Sequence, residues 1–283
     1  MDIMTSYLPI IIGLLGCIVG SFLNVVALRQ ETGKDLGGRS HCPSCNHQLT
    51  WYELIPVVSF LIQLGRCRNC KKTISPRYVS VELFVGVLYF LTTSFITKAY
   101  FGVYTSLPGW FFVWLLSLLI IVSYGALIVI YDIQTKTVPL VWFIGLVFFS
   151  CIYLVIPYIS GAASALSVWR TIGFVISGML IALPFLAMWL VSKGRWMGFA
   201  DIEIIAWIGM FFGVQMGASA VLLSFYLGSF FGIVFIIYKF IKGIPYTTIR
   251  KIQIPFAPFL FLGWFITLLY SFNIFTLLSG LFI

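Results

Sequence analysis

Charge is what this 283-residue sequence has least of: charged residues make up 9% of it, only eight of them acidic, against 61% hydrophobic residues and a mean hydropathy of +1.08. So little charge excludes a soluble globule and leaves an all-α polytopic membrane protein. Other absences narrow the function. The chain has no P-loop, no dinucleotide-binding fingerprint and no serine-centred nucleophile motif. It also lacks heptads, solenoid repeats and low-complexity tracts. The net charge of +9 does not point to nucleic acid, because the cations stand in the connections between apolar runs, where they act as topological signals.

The apolar runs cover roughly 7–28, 79–97, 110–131, 138–160, 171–192, 197–214, 216–238 and 256–282, most of them long enough to cross about 30 Å of hydrocarbon at about 1.5 Å per residue. The first lacks a basic leader and a convincing small-residue cleavage site, so it reads as a retained span. The stretch 197–238 reads either as one very long helix or as two spans broken near Gly213, Gln215 and Gly217. The cations decide between them. Arg29, Lys34, Arg39, Arg66, Arg68, Lys71, Lys72 and Arg77 lie in 29–78, Lys136 in 132–137, Lys193 and Arg195 in 193–196, and Lys239, Lys242, Arg250 and Lys251 in 239–255. Eight spans put all four connections on one side and leave only Lys98 and Arg170 opposite, whereas seven would misplace the last. The expected organisation is therefore a first span over 1–28, a cytoplasmic loop over 29–78 and a multi-span membrane domain over 79–283. Both termini lie outside, and Ser167 to Arg170 forms an outer turn.

Two aspartates stand at the ends of apolar runs. Asp132 closes Val129-Ile130-Tyr131-Asp132, and Asp201 follows Gly198-Phe199-Ala200. An ionisable group at mid-bilayer costs about 2.5–3.5 kcal/mol on insertion scales, so it marks function by default. The eight-span topology brings both to similar depth near the cytoplasmic face. Two carboxylates that meet can share a proton and activate water. The competing reading makes each an interfacial residue wetted by headgroup water.

The loop over 29–78 carries the sharpest local signal. Cys42-Pro43-Ser44-Cys45 is followed, after 21 residues, by Cys67-Arg68-Asn69-Cys70. Two such knuckles supply four thiolates for a closed, structural, tetrahedral zinc site. Paired disulfides are disfavoured on a reducing cytoplasmic face. His41 and His47 flank the first knuckle as loop residues, and Cys17 and Cys151 lie in spans as small apolar fillers. Between the knuckles, Leu49 to Leu61 is too short and interrupted to span and too apolar for a free loop, which predicts a segment folded onto the membrane surface. Glu53 reads as its polar end or as a site residue, and Glu82 as a partner of Arg77, as a snorkelling acid or as catalytic. Pro255 and Pro258 either loosen the backbone beside a cavity or punctuate a helix start.

These motifs together closely resemble the prepilin peptidases, the aspartic intramembrane proteases of type IV pilins and related pseudopilins. The likeness runs through Gly20-Ser21-Phe22-Leu23-Asn24-Val25, the two knuckles with Trp51-Tyr52-Glu53-Leu54-Ile55-Pro56 between them, and Ile74-Ser75-Pro76-Arg77-Tyr78 with Val81-Glu82-Leu83. It continues through Asp132 with Pro139, Gly198 to Asp201, and Ile254 to Leu260. The resemblance implies Asp132 and Asp201 as the catalytic pair. It also implies cleavage of a short basic leader after its terminal glycine at the cytoplasmic face of the cell membrane. The family includes members that N-methylate the new amino terminus with S-adenosylmethionine, and those members carry the same four-cysteine loop, which implies that activity here without naming residues for it. The expected partners are prepilin substrates and the lipid bilayer, with no nucleic acid.

Two positions depart from the family's usual Gly-x-Gly-Asp-x-Lys: Ala200 replaces the second glycine and Glu203 the lysine. A helix beginning near Asp201 turns Glu203 away from the pair, whereas an irregular backbone brings the carboxylates together. Two other functional classes compete. A transporter or proton relay uses intramembrane carboxylates but calls for inverted repeats or matched broken helices, which the sequence lacks. A zinc-stabilised scaffold leaves the aspartates without a purpose.

Overall fold

The apolar runs become helices. The computed structural model describes residues 3–33, 37–101, 109–159, 168–245 and 253–275. Among them the long helices are α1 (Ile3–Thr32), α3 (Arg77–Phe101), α4 (Gly109–Thr135), α5 (Leu140–Ile159), α6 (Val168–Ser192), α7 (Phe199–Phe212), α8 (Val214–Ile241) and α9 (Ala257–Tyr270). A single turn of 3₁₀ helix (Trp51–Leu54) and the short α2 (Val58–Ile62) lie in the loop between α1 and α3. Each of the eight apolar runs thus has its helix, and no strand forms among the described residues beyond two isolated bridges, His41 with Gln48 and Arg66 with Thr73. Five helices are long and apolar enough to cross a membrane, within α1, α3, α4, α6 and α8; Leu140–Ile156 and Ala257–Tyr270 are shorter apolar helices. This is a multi-pass membrane protein.

Two details differ from the sequence reading. Val168 to Arg170 belong to α6 and not to a turn, and within the apolar run 256–282 α9 ends at Tyr270, with Ser271 in the left-handed region. The small-residue linker Gly161 to Ala165, Ser167 of the expected outer turn, Lys34, Arg250, Lys251 and residues 276–282 of the final apolar run lie outside the described residues.

The chain divides into two compact units, Met1–Tyr131 and Asp132–Ile283, with the boundary inside α4. In the first, α1 packs antiparallel on α3: Gly13 lies against Phe90 and Gly20 against Glu82. Tyr89 Oη and Ser123 Oγ, 2.6 Å apart, join α3 to α4. Without a hydrophobic drive between helices in lipid, such pairs hold by close packing and hydrogen bonds.

In the second unit, α6 packs on α7, α7 on α8, and α8 on α9. The ambiguous 197–238 stretch is two helices. Gly213, at φ 80° and ψ −178°, adopts a conformation that a side chain resists, and α8 doubles back there, so that Gly217 meets Gly209. The core joins α7 and α9 through Trp264, fully buried against Trp207, Phe211 and Phe261 at centroid distances of 5.1, 5.5 and 5.4 Å. Trp207 Nε1 donates to Ser150 Oγ at 2.8 Å, which satisfies a polar group that lipid would not.

The contact between α6 and α7 is close enough to test. A Cβ at Gly178 would sit 2.5 Å from the Ala206 carbonyl oxygen, a backbone atom that cannot swing aside, whereas one at Gly173 would meet nothing within 4 Å. Gly178→Ala is therefore expected to cost about 1–3 kcal/mol by overpacking, and Gly173→Ala to be neutral. Thermal unfolding of both variants in detergent checks this, and equal melting temperatures would exclude the packing.

Candidate functional sites in the two units

The second unit gathers the two aspartates. Asp132 lies in the last turn of α4, where Lys136 follows at φ 57° and its N–H closes the helix by donating to the Asp132 carbonyl at 2.9 Å. Asp201 is the third residue of α7, a helix capped by Gly198. The Gly198 N–H donates to the Asp201 carboxylate, the reciprocal half of a capping box. The Asp132 carboxylate accepts the N–H of Ala257, the first residue of α9. Two helix N-termini thus each offer a backbone donor to a carboxylate, an arrangement that favours anions. The carboxylates, 69 positions apart in sequence, lie close enough to repel each other, and Lys136 lies close enough to Asp132 to attract it. Asp132 is buried, and its Oδ2 has no hydrogen-bond partner among the described residues.

The Ala257 donor escaped sequence reasoning, which had only the flanking prolines as a signal. Pro258 takes the second helical position, where a missing N–H does no harm, so the prolines mark a helix start. Glu203 is the fifth residue of a regular helix, two positions and about 200° of rotation from Asp201. It therefore projects away from the pair.

The first unit gathers the four cysteines. Their sulfurs all lie within 4.8 Å of one another, Cys42 Sγ and Cys70 Sγ being 3.9 Å apart. Each knuckle repeats one hydrogen-bond pattern: Asn46 N–H to the Cys42 carbonyl and Cys42 N–H to His47, then Lys71 N–H to Cys67 and Cys67 N–H to Lys72, all at 2.8–2.9 Å. Asn46 and Lys71 occupy the same place in the two turns, at φ 54° and 60°. The N–H groups of Ser44 and Cys45 hold the Cys42 thiol down at about 6. The Lys72 N–H acts the same way on Cys70, but burial and the neighbouring thiols outweigh it and push that thiol up to about 11. A tetrahedral zinc at about 2.3 Å from each sulfur sets the sulfurs about 3.8 Å apart, so the cluster fits the ion. Asn69 Nδ2, 3.7 Å from Cys45 Sγ, supports one ligand from outside. Cys17 and Cys151 stand apart from the cluster.

The two acidic residues left open in this unit are both buried and bound to backbone. Glu53 Oε2 accepts Thr50 N–H at 2.9 Å and Thr50 Oγ1 at 2.8 Å, with His47 Nε2 at 3.6 Å. The Thr50 N–H, helped by the hydroxyl and by His47, keeps Glu53 below the usual carboxylate range. Glu82 Oε2 accepts Val57 N–H at 2.8 Å, so its partner is a backbone amide of the loop. Asn24, equally buried, donates to the Tyr78 carbonyl at 3.2 Å.

Residues 14–96 match the family described as the bacterial peptidase A24 N-terminal domain. A "Prepilin leader peptidase/N-methyltransferase" of Bacillus subtilis is 30% identical over 266 residues, covering 92% of this chain and 94% of the relative. One of Pseudomonas aeruginosa is 28% identical over 291 residues, covering 91% and 89%. A relative of that name from Myxococcus xanthus is 51% identical over 77 residues, 27% of this chain and 23% of its own length. No solved structure matches the chain.

Two outcomes are expected. Protein purified under reducing conditions without chelator carries about one zinc per chain, lost from Cys42→Ser/Cys45→Ser and released as acid returns protons to the thiolates. Elemental analysis from pH 7.5 down to 5 reads this, and metal-free wild-type protein at neutral pH would refute it. Glu203→Gln is expected to move the acid limb of the pH–activity profile by well under one unit, because the helix turns it away; a displacement of about one unit, about 1.4 kcal/mol, would place Glu203 in the site.

Proposed function

Because the chain belongs to the prepilin leader peptidase/N-methyltransferase family, we propose that it is a membrane-embedded aspartic endopeptidase. It removes the leader of pilin-like precursors and then methylates the amino terminus so released. The observation that carries this reading is the pair Asp132 and Asp201, held at the ends of α4 and α7 within electrostatic reach of each other, each met by one backbone N–H.

The chemistry follows from that pairing. Like charges this close resist double ionisation, so the pair holds one proton between two carboxylates. The ionised member takes a proton from water as the oxygen attacks the scissile carbonyl, while the protonated member gives its proton to the carbonyl oxygen. The two titrate as a unit, so the roles belong to the pair. Collapse of the tetrahedral adduct passes a proton to the leaving amine. The N–H groups of Ala257 and Gly198 hold the carboxylates in place, and the unpartnered Oδ2 of Asp132 is the acceptor open to water or to the shared proton. The substrate's helical segment must unwind locally to present its backbone. Cleavage follows a glycine at the cytoplasmic side of the cell membrane, the side on which the four basic connections of an eight-span topology fall.

S-adenosylmethionine is the co-substrate proposed for the second step, in which the free amine attacks the sulfonium methyl, the S–CH3 bond breaks to leave the thioether S-adenosylhomocysteine, and the methylated amine loses a proton. Zinc on Cys42, Cys45, Cys67 and Cys70 holds the loop between α1 and α3. The zinc has no reacting role.

The test incubates purified protein with a prepilin in detergent and reads intact mass, with and without the methyl donor. Asp132→Asn and Asp201→Asn are each expected to lower cleavage by at least about 10³-fold while the protein stays folded and inserted, since an amide of nearly equal size cannot exchange the proton. Near-wild-type cleavage by either variant would rule out the pair.

A further inference from the structure

We propose that the loop between α1 and α3 carries a docking surface for anionic phospholipid, through which the four-cysteine module lies on the bilayer that the chain spans. The loop leaves the end of α1 and returns at the start of α3, two antiparallel helices each long and apolar enough to cross a membrane. The module therefore hangs at the headgroup level.

Its outward side is apolar beyond what water tolerates. Trp51, Leu61, Ile62 and Leu64 are 77%, 63%, 75% and 85% exposed, and Leu54 and Val58 are exposed between them. Within α2, Val58, Leu61 and Ile62 stand at i, i+3 and i+4 and so share one face, and Trp51 and Leu54 are exposed on the 3₁₀ turn just before it. Trp and Tyr are the residues that favour the membrane–water interface.

The inward side explains why this face is held outward. Glu53 folds back on Thr50, and Glu82, from α3, takes the N–H of Val57. Val57 sits at φ 63° and ψ −52° in a tight turn in which the Val58 N–H donates to the Pro56 carbonyl at 2.6 Å. A β-branched residue in that region is strained, and strain of this kind persists only where surrounding contacts impose it. The buried Glu82 carboxylate is that contact.

Charge names the lipid. Residues 37–78 hold Arg39, Arg66, Arg68, Lys71, Lys72 and Arg77 against one acid, Glu53, which is buried. Even with four thiolates and a divalent zinc counted in, the loop stays positive. Arg68 lies over the Tyr52 ring at 5.2 Å, which sets a cation beside an interfacial aromatic. Juxtamembrane cations beside interfacial aromatics match an anionic leaflet, whose potential attracts cations within about 10 Å.

Hydrogen exchange of the full-length protein tests this, with peptides over 51–64 compared in phosphatidylcholine nanodiscs, in nanodiscs also holding phosphatidylglycerol, and in detergent. Exchange is expected to slow by about tenfold when the anionic lipid is added, with α8 peptides unchanged. Arg66→Gln/Lys71→Gln/Lys72→Gln should remove the lipid dependence, and Leu61→Ser/Ile62→Ser should restore fast exchange in both lipids. Equal rates in the two lipids, equal protection in detergent, or protection that follows protein concentration (a second copy as the occupant) would each overturn the proposal. The lipid comparison uses the wild-type chain, so it decides the matter even where a variant fails to fold.

Discussion

A carboxylate among apolar helices is costly unless backbone N–H groups meet it, and the second unit is arranged to supply them. Helix N-termini are where free N–H groups occur, because the first turn has no carbonyls behind it. The fold delivers two such termini to two aspartates: α7 begins at Phe199 and serves Asp201, while α9 begins at Ala257 and serves Asp132. Everything that fixes those helices therefore fixes the site. Gly213 turns α8 back along α7, close contact at Gly178 seats α6 on α7, and Trp264 ties α9 to α7. The hydrogen bond from Trp207 to Ser150 then tethers α5, which leaves no polar side chain of that pair to lipid.

The same device recurs in the first unit with a structural purpose. Glu53 and Glu82 are buried carboxylates that accept backbone N–H groups, from Thr50 and Val57. Here the acids impose a loop conformation, since a connection with so few regular hydrogen bonds would otherwise be free. The Thr50 donors keep Glu53 below its usual range, so the stability it adds is present at neutral pH and lost as acid protonates it in the folded state. The knuckles close the remainder with two turns of one hydrogen-bond pattern. Their paired turns at Asn46 and Lys71 bring the four sulfurs to a separation that a tetrahedral ion matches.

The strongest sequence signals were those with fixed spacing. Four cysteines in two knuckles announce their cluster because a short turn between paired ligands has few geometries, and eight apolar runs announce eight helices because lipid tolerates little else. Asp132 and Asp201 are legible as isolated acids at run ends, and counting spans by charge puts them at similar depth without saying that they meet. Long-range backbone partners were not legible. Nothing in Ala257 as a residue type advertises that its N–H reaches Asp132, since every non-proline residue has one and only tertiary packing selects which is used. Glu82 is equally ambiguous: pairing with Arg77, snorkelling and a catalytic role all fit the sequence, whereas its carboxylate accepts a loop amide from Val57, 25 positions away. Val168 to Arg170 are helical where the sequence suggests a turn, for a simpler reason: polar residues such as Arg170 and Thr171 at a helix start read like a loop when the helix continues apolar beyond them.

The two departures from the family motif become intelligible once α7 is seen to begin at Phe199. Position 200 lies in the first turn with ordinary helical geometry, where alanine is the better residue by about 1 kcal/mol because glycine loses more backbone freedom. Losing the second glycine thus removes no conformation that the helix needs. Position 203 lies one turn inside a helix N-terminus, where the macrodipole favours an anion over a cation. Glu203 is consequently more compatible with α7 itself than the lysine it replaces. Since the helix carries it to the far side from Asp201, the like charge falls where repulsion is weakest. Both changes strengthen the helix that positions Asp201 and leave the donors to the pair, Gly198 and Ala257, untouched. The carboxylate pair therefore depends on where α7 and α9 start, and the side chains along α7 beyond Asp201 are free to vary as far as helix and packing allow.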